Sequence, residues 1–294
     1  MALGAEPVAA LLRRLGSSAP QPHPAPGVTR SVEDYAPRAG RTARRGEWWV
    51  PACAAAAGRA LPTVVLVHGG FWRAGYDRHL MDALAADLAS RGALVWNLDY
   101  RPSTQPWPAT LADVAAGYDH LTVGTHAALV DPARIAVVGH SAGGHLALWL
   151  ASRHRLPAGT SAVLTPVAGV PRPVVAVSQA GVAALVVAAE QRLGRGAALE
   201  LVDAGPDRAP DRYAVGDPLA LLPTGVRTVL VHGTGDEVVP LDQSERYEAA
   251  ARAAGDDCRV LRFPGGHMEH VDPDSVAAGL MRDALAGLLP AGGR

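Results

Sequence analysis

The 294-residue chain contains no lysine; all 27 of its basic residues are arginine. Isoleucine and asparagine occur once each, as Ile135 and Asn97, and phenylalanine only twice. With abundant alanine, glycine and proline, this bias is one of base composition and carries no functional information. Charge of either sign is also scarce in the balance. A formal net charge of −1 excludes a broad cationic surface tracking phosphates or anionic lipid, so no nucleic-acid partner is expected. The two cysteines, Cys53 and Cys258, are too far apart to form a close-spaced framework, and reduced thiols are expected. A secretory leader is not evident, because Glu6, Pro7 and Arg13-Arg14 interrupt the N-terminal segment. The longest late uncharged stretch, residues 173–189, holds Ser178, Gln179 and Gly181 and falls short of a membrane span. A cytoplasmic protein without membrane association is the expectation.

What is present is ample apolar material, 49% of residues against 19% charged, enough for a sizeable core. Residues 1–45 read as a loosely ordered N-terminal arm. Pro20, Pro22, Pro24 and Pro26 fix φ and remove donors, Arg41, Arg44 and Arg45 follow, and one short amphipathic helix is expected near residues 8–15. From there residues 46–294 read as one domain of alternating strands and helices. Apolar runs at Thr63–Val67, Ala93–Leu98, Ile135–Val138, Val174–Val177, Thr228–Val231 and Arg259–Phe263 predict strands buried on both faces. Leu80, Leu84 and Leu88 share a helix face that Gly92 ends; Leu111, Val114, Tyr118 and Leu121 share another. Residues 142–154 are helix formers, and Asp242 with Glu245 predicts a capping box. The alternation implies an α/β fold, a mostly parallel central sheet with helices on both faces. Its ligands are expected at the carboxyl ends of the strands.

Four loops after predicted strands carry chemistry-bearing residues. Gly139-His140-Ser141-Ala142-Gly143 puts a serine on a strand-to-helix turn whose small neighbours permit close approach, with a helix N-terminus beside its hydroxyl. His68-Gly69-Gly70-Phe71-Trp72 offers accessible backbone N–H groups. The amides of Gly70, Phe71 and Ala142 are the candidate oxyanion donors, although a Gly-Gly pair after a strand is more often only a turn. Val231-His232-Gly233-Thr234-Gly235-Asp236 supplies an aspartate able to orient an imidazole, with Glu237 as nearest competitor. Phe263-Pro264-Gly265-Gly266-His267 supplies a base, with His270 as rival. His140, His145, His154 and His232 read as structural. The His267/His270 pair lacks the cysteines, HExxH motif or acidic loop that a metal site requires, so no metal is expected.

The order Ser141, Asp236, His267, preceded by the oxyanion loop, is the order of an α/β-hydrolase triad. From about Trp48 onward the chain resembles the α/β-hydrolase superfamily. The HGGFW string at 68–72, with GHSAGGH at 139–145, resembles the esterase/lipase branch that includes eukaryotic kynurenine formamidases, whose oxyanion loop reads HGGxW. The resemblance implies hydrolysis of a small acyl ester or an aryl formamide without a cofactor.

The expected activity is therefore a serine hydrolase acting on a small carboxylic ester or amide through Ser141, His267 and Asp236. A small cap around residues 181–218 is expected above the pocket, with Trp72 and Leu185 as apolar substrate contacts. Two alternatives stand beside it: a serine exopeptidase of the same fold, for which 294 residues leave little room, and a binding protein on a hydrolase scaffold, which usually lacks a triad member.

Overall fold

The computed structural model describes residues 25–35, 44–52 and 59–289. Eight strands form one sheet: β1 (Val28–Tyr35), β2 (Arg44–Pro51), β3 (Leu61–Val67), β4 (Leu94–Leu98), β5 (Val130–His140), β6 (Val175–Gln179), β7 (Arg227–Gly233) and β8 (Cys258–Phe263). Their spatial order is β1-β2-β4-β3-β5-β6-β7-β8. The β1/β2 and β2/β4 pairs are antiparallel; the rest are parallel.

The valine-rich runs become the centre of the sheet because each residue there finds apolar cover on whichever face it points to. Val65 and Val67 enter the larger core, under helices α2 (Ala109–Asp119) and α3 (Ala142–Ser152). Val64 and Leu66 alternate to the other face, under α1 (Asp82–Ser90) and α8 (Val276–Ala284). Full burial of such a side chain contributes about 1.5–3 kcal/mol, which is why strands with no polar face hold the middle of the sheet. Between β6 and β7 lie α4 (Leu185–Glu190), α5 (Leu193–Val202) and α6 (Pro210–Gly216), and α7 (Asp242–Ala253) precedes β8.

Three expectations change. Within the segment read as an arm, residues 28–35 form edge strand β1, and β2 follows antiparallel to it. β1 has no apolar run; its polar side chains are tied instead, Arg30 to Glu47 at 2.9 and 3.1 Å and Glu33 to Trp48 Nε1 at 2.7 Å. Asp242 caps nothing: the N-cap of α7 is Leu241, and Asp242 pairs with Arg246 at 2.6 Å. Leu80 and Leu121 fall in 3₁₀ turns beside their helices. The helix expected near residues 8–15 lies outside the described residues. Among the described residues, no helix is long and apolar enough to cross a membrane.

Candidate active site

Ser141 sits between the last residue of β5 and the first of α3 with φ 56° and ψ −119°, a left-handed conformation that strains a non-glycine residue. The turn is held by Ser141 N–H donating to Gln179 O at 2.8 Å and Gly144 N–H donating to Ser141 O at 2.9 Å. It also requires bare backbone on either side: a Cβ at Gly139 would lie 1.9 Å from Gly143 O, and one at Gly143 2.0 Å from Val67 O. Sequence spacing anticipates this turn because close approach on both sides leaves glycine as the only fit.

The loop after β3 lies against it. A Cβ on Gly69 would sit 3.0 Å from Ser141 Cβ. Gly70, Phe71 and Trp72 all have positive φ, 110°, 52° and 56°. Tyr100 holds the loop's entrance, its hydroxyl donating to His68 O at 2.8 Å while its ring stacks on His68 at 4.1 Å. Arg73 anchors the exit through two 2.7 Å bonds to Glu200 of α5. Phe71 also touches that helix: a Cβ at Gly194 would meet its ring at 2.3 Å.

Asp236 and His267 come from the loops after β7 and β8, which are laced together by Gly235 N–H to Gly265 O at 2.9 Å and Thr234 N–H to Phe263 O at 2.8 Å. His267 Nδ1–H donates to Asp236 Oδ2 at 2.7 Å. Asp236 Oδ1 accepts from the amides of Val238 and Val239 at 2.8 and 2.9 Å. Burial alone would raise the pKa of this carboxyl. Hydrogen bonds from His232 and His267, the nearby His267 charge and the Val239 amide outweigh it and hold the group well below the usual carboxylate range. The side chain is therefore an anion at neutral pH, as an imidazole-orienting group must be.

His140 Nε2–H donates to His267 O at 2.9 Å, with the two rings 4.7 Å apart. Since His140 precedes Ser141, that bond ties the loop carrying His267 to the elbow. The rival His270 is fully buried against Phe263 and His140, both ring nitrogens lack partners, and burial pushes its pKa well below the ordinary value. Glu237 is exposed and makes no hydrogen bond or ion pair among the described residues.

Trp72 and Leu185, expected as apolar substrate contacts, are both buried. Trp72 is 1% exposed and packs edge-on to His145. With Phe71, Val182, Ala188, Leu193 and Ala198 it borders a crevice too tight to hold a water molecule. Leu185 is fully buried in the larger core and does not line that crevice. Sequence reading also passed over Tyr100 and treated His232 as structural, although its Nε2 lies 3.5 Å from Asp236 Oδ2. The four-residue spacing of His232 and Asp236 across a glycine loop is the signal that could have found it. Glu47, His79 and Asp82 bring possible ligand atoms within 4.8 Å of one another, but Arg30 already lies 2.9 Å from Glu47 and 3.6 Å from Asp82. A guanidinium supplies the positive charge there.

A mostly parallel eight-stranded sheet with an elbow after β5 and loops converging on it from β3, β7 and β8 is the α/β-hydrolase fold. Within that class, residues 52–250, more than half of the chain, match the family model BD-FAE, and the protein belongs to that esterase family. Carboxylesterase NlhH of Mycobacterium tuberculosis is 40% identical over 99 residues, which are 32% of this chain and only 30% of the relative's length. The uncharacterized protein YfhR of Salmonella typhi is 25% identical over 81% of this chain and 74% of its own. Among solved structures, a truncated carbohydrate esterase from gut microbiota superposes with a TM-score of 0.74 at 18% identity, covering 90% of this chain and 98% of that one. The Thermogutta terrifontis esterase Est2 gives 0.73 at 22% identity, covering 96% and 100%.

Proposed function

We propose that the protein is a serine esterase that cleaves a small carboxylic ester through a Ser141–His267–Asp236 triad. His267 takes the Ser141 proton as the hydroxyl attacks the carbonyl carbon. The tetrahedral oxyanion is held by the amides of Gly70, Phe71 and Ala142, and the proton passes to the departing alkoxide as the C–O bond breaks. Water, deprotonated by the same imidazole, then attacks the acyl-enzyme and releases the acid. The observation carrying this reading is the 2.7 Å bond from His267 Nδ1 to a carboxylate that its surroundings keep ionised. It fixes the imidazole tautomer and leaves Nε2 free to act as base.

The carboxylesterase name of NlhH and the esterase names of the structural neighbours support the ester as substrate. Est2 has been solved with propionate and with butyrate bound, which makes a short acyl group the first to test. An aryl formamide is the second substrate to try, on the strength of the HGGFW loop.

The test is labelling with a fluorophosphonate followed by peptide mapping, run beside p-nitrophenyl acetate, butyrate and octanoate, N-formylkynurenine and an aminoacyl anilide. Modification of Ser141 and fastest turnover of the short esters are expected. Anilide turnover would move the assignment to a peptidase, and a chain that binds without label or turnover would be a scaffold.

A further inference from the structure

Asp236 faces two histidines. Beside His267, at the same carboxylate, lies His232, the sixth residue of β7, fully buried. Its Nε2 is 2.9 Å from Val239 O and 3.5 Å from Asp236 Oδ2; its Nδ1 is 2.7 Å from Ser244 Oγ on α7. Two oxygens with no proton to give surround Nε2, so that nitrogen must carry the hydrogen. The Ser244 hydroxyl then donates to Nδ1. A chain of donors results: Ser244 Oγ–H to His232, His232 Nε2–H to Val239 O, and Val239 N–H to Asp236 Oδ1 at 2.9 Å. Ser244, His232 and Asp236 thus form a serine–histidine–aspartate set on the same carboxylate that His267 contacts, and Ser244 is fully buried and is no nucleophile.

We propose that His232, oriented by Ser244, is a positioning residue for the acid: it fixes the Asp236 carboxylate by anchoring Val239, whose amide donates to Oδ1, and its Nε2–H, 3.5 Å from Oδ2, limits how strongly that oxygen stabilises the His267 imidazolium. The inference rests on the triad reading above. An acid that holds its imidazole too tightly in the charged form leaves little free base at neutral pH. A second N–H dipole beside the same oxygen, itself bonded to Val239 O, tempers that.

Removing the His232 N–H therefore raises the proton affinity of His267, and the acid limb of the kcat/KM profile moves to higher pH. The other groups facing these rings are His140 on β5, His270 in the turn after His267, and Arg262, the cross-strand neighbour of His232. Arg262 is paired with Glu245 and lies 3.8 Å from Glu248. None of them takes the place of a donor at Val239 O.

The experiment measures kcat and KM against pH for a short p-nitrophenyl ester with His232→Ala, His232→Gln and Ser244→Ala. Rates are divided by the concentration of sites that a fluorophosphonate titrates. His232→Ala should lower kcat about tenfold to a hundredfold, change KM by less than about threefold and shift the acid limb up by about 0.5–1 pH unit. His232→Gln, whose amide can replace the Nε2–H donor, should recover part of both effects. Ser244→Ala, the mildest truncation, should show the same shift in reduced size.

Variants that titrate fully yet keep the wild-type acid limb would overturn the proposal. So would changes confined to melting temperature and titratable fraction, which signify packing alone. Failure of the triad reading is separately visible, as undiminished turnover by Ser141→Ala.

Discussion

A serine hydroxyl is a weak nucleophile at neutral pH, so the proposed mechanism needs a base to take the Ser141 proton. The proposed base, His267, lies on a loop more than a hundred residues away in sequence, and the His140 bond to His267 O ties that loop to the elbow. Because the groups act as a unit, Ser141→Ala and His267→Ala are each expected to reduce kcat by about 10⁴-fold or more, with the double variant scarcely worse than either single. Steady-state assays of titrated protein check this; additive losses would mean the two side chains act independently. Asp236→Asn should keep the melting temperature within a few degrees and still lose about 10⁴-fold in kcat, since an amide presents the wrong partner to Nδ1. The placement of Ser141, Asp236 and His267 just after β5, β7 and β8 was legible in the sequence because each follows an apolar run and is flanked by glycines. The second histidine on the acid was harder to see. A residue inside a strand reads as core, and the four-residue spacing from His232 to Asp236 only suggests a contact that the coordinates show.

At the scale of elements, the loop from His68 to Trp72 is the part whose shape matters most to the proposed chemistry. It is held from outside, by Tyr100 at one end and by the Arg73–Glu200 pair at the other. Gly70 and Gly75 make a controlled pair: both have positive φ, 110° and 98°, but a Cβ at Gly70 would meet the Tyr76 ring at 2.3 Å while one at Gly75 meets nothing within 4 Å. Gly70→Ala should cost about 10²–10³ in kcat, the loss typical of an oxyanion donor moved out of place. Gly75→Ala should cost about 1 kcal/mol of stability with kcat nearly unchanged. Equal kinetic losses in the two variants would show that backbone strain in general, and not donor placement, is being measured. The five strands β3 to β7 could be read from their apolar runs because both faces are covered, and β8, at the far edge with Arg259 and Arg262 exposed, from its remaining apolar residues. β1 could not, since an edge strand whose polar side chains are satisfied by its neighbour has the composition of a loop. The positive φ values of Arg192 and Arg195, 51° and 62°, were equally hidden: nothing in an arginine announces a left-handed turn.

For the molecule as a whole, the cost of this architecture is a set of histidines buried neutral. Burial lowers the pKa of His140 to about 3 and of His145 to about 4, the latter despite its bond to Gly216 O. In the unfolded chain both titrate near 6.5. Between those values the unfolded state binds more protons than the folded one, so stability rises with pH through the window and falls as pH drops from about 6.5 toward 4. Each group removes about 2 kcal/mol by pH 5. Asp236, with its lowered pKa, adds a further loss below about 4. Asp82 and Asp217, whose pKa values burial raises, work the other way, because they take up protons more readily folded than unfolded. The histidines start to titrate first, so the net expectation is a urea midpoint that declines between pH 7.5 and pH 5. His145 isolates the cause, being fully buried away from Asp236. His145→Gln keeps an N–H donor for Gly216 O and cannot be protonated. It should flatten the pH dependence of stability by about the share of one histidine while changing the midpoint at pH 7.5 much less. A midpoint that stays level from pH 7.5 to 5 in the parent chain, or a His145→Gln variant with the parental slope, would remove buried histidine as the source of acid sensitivity.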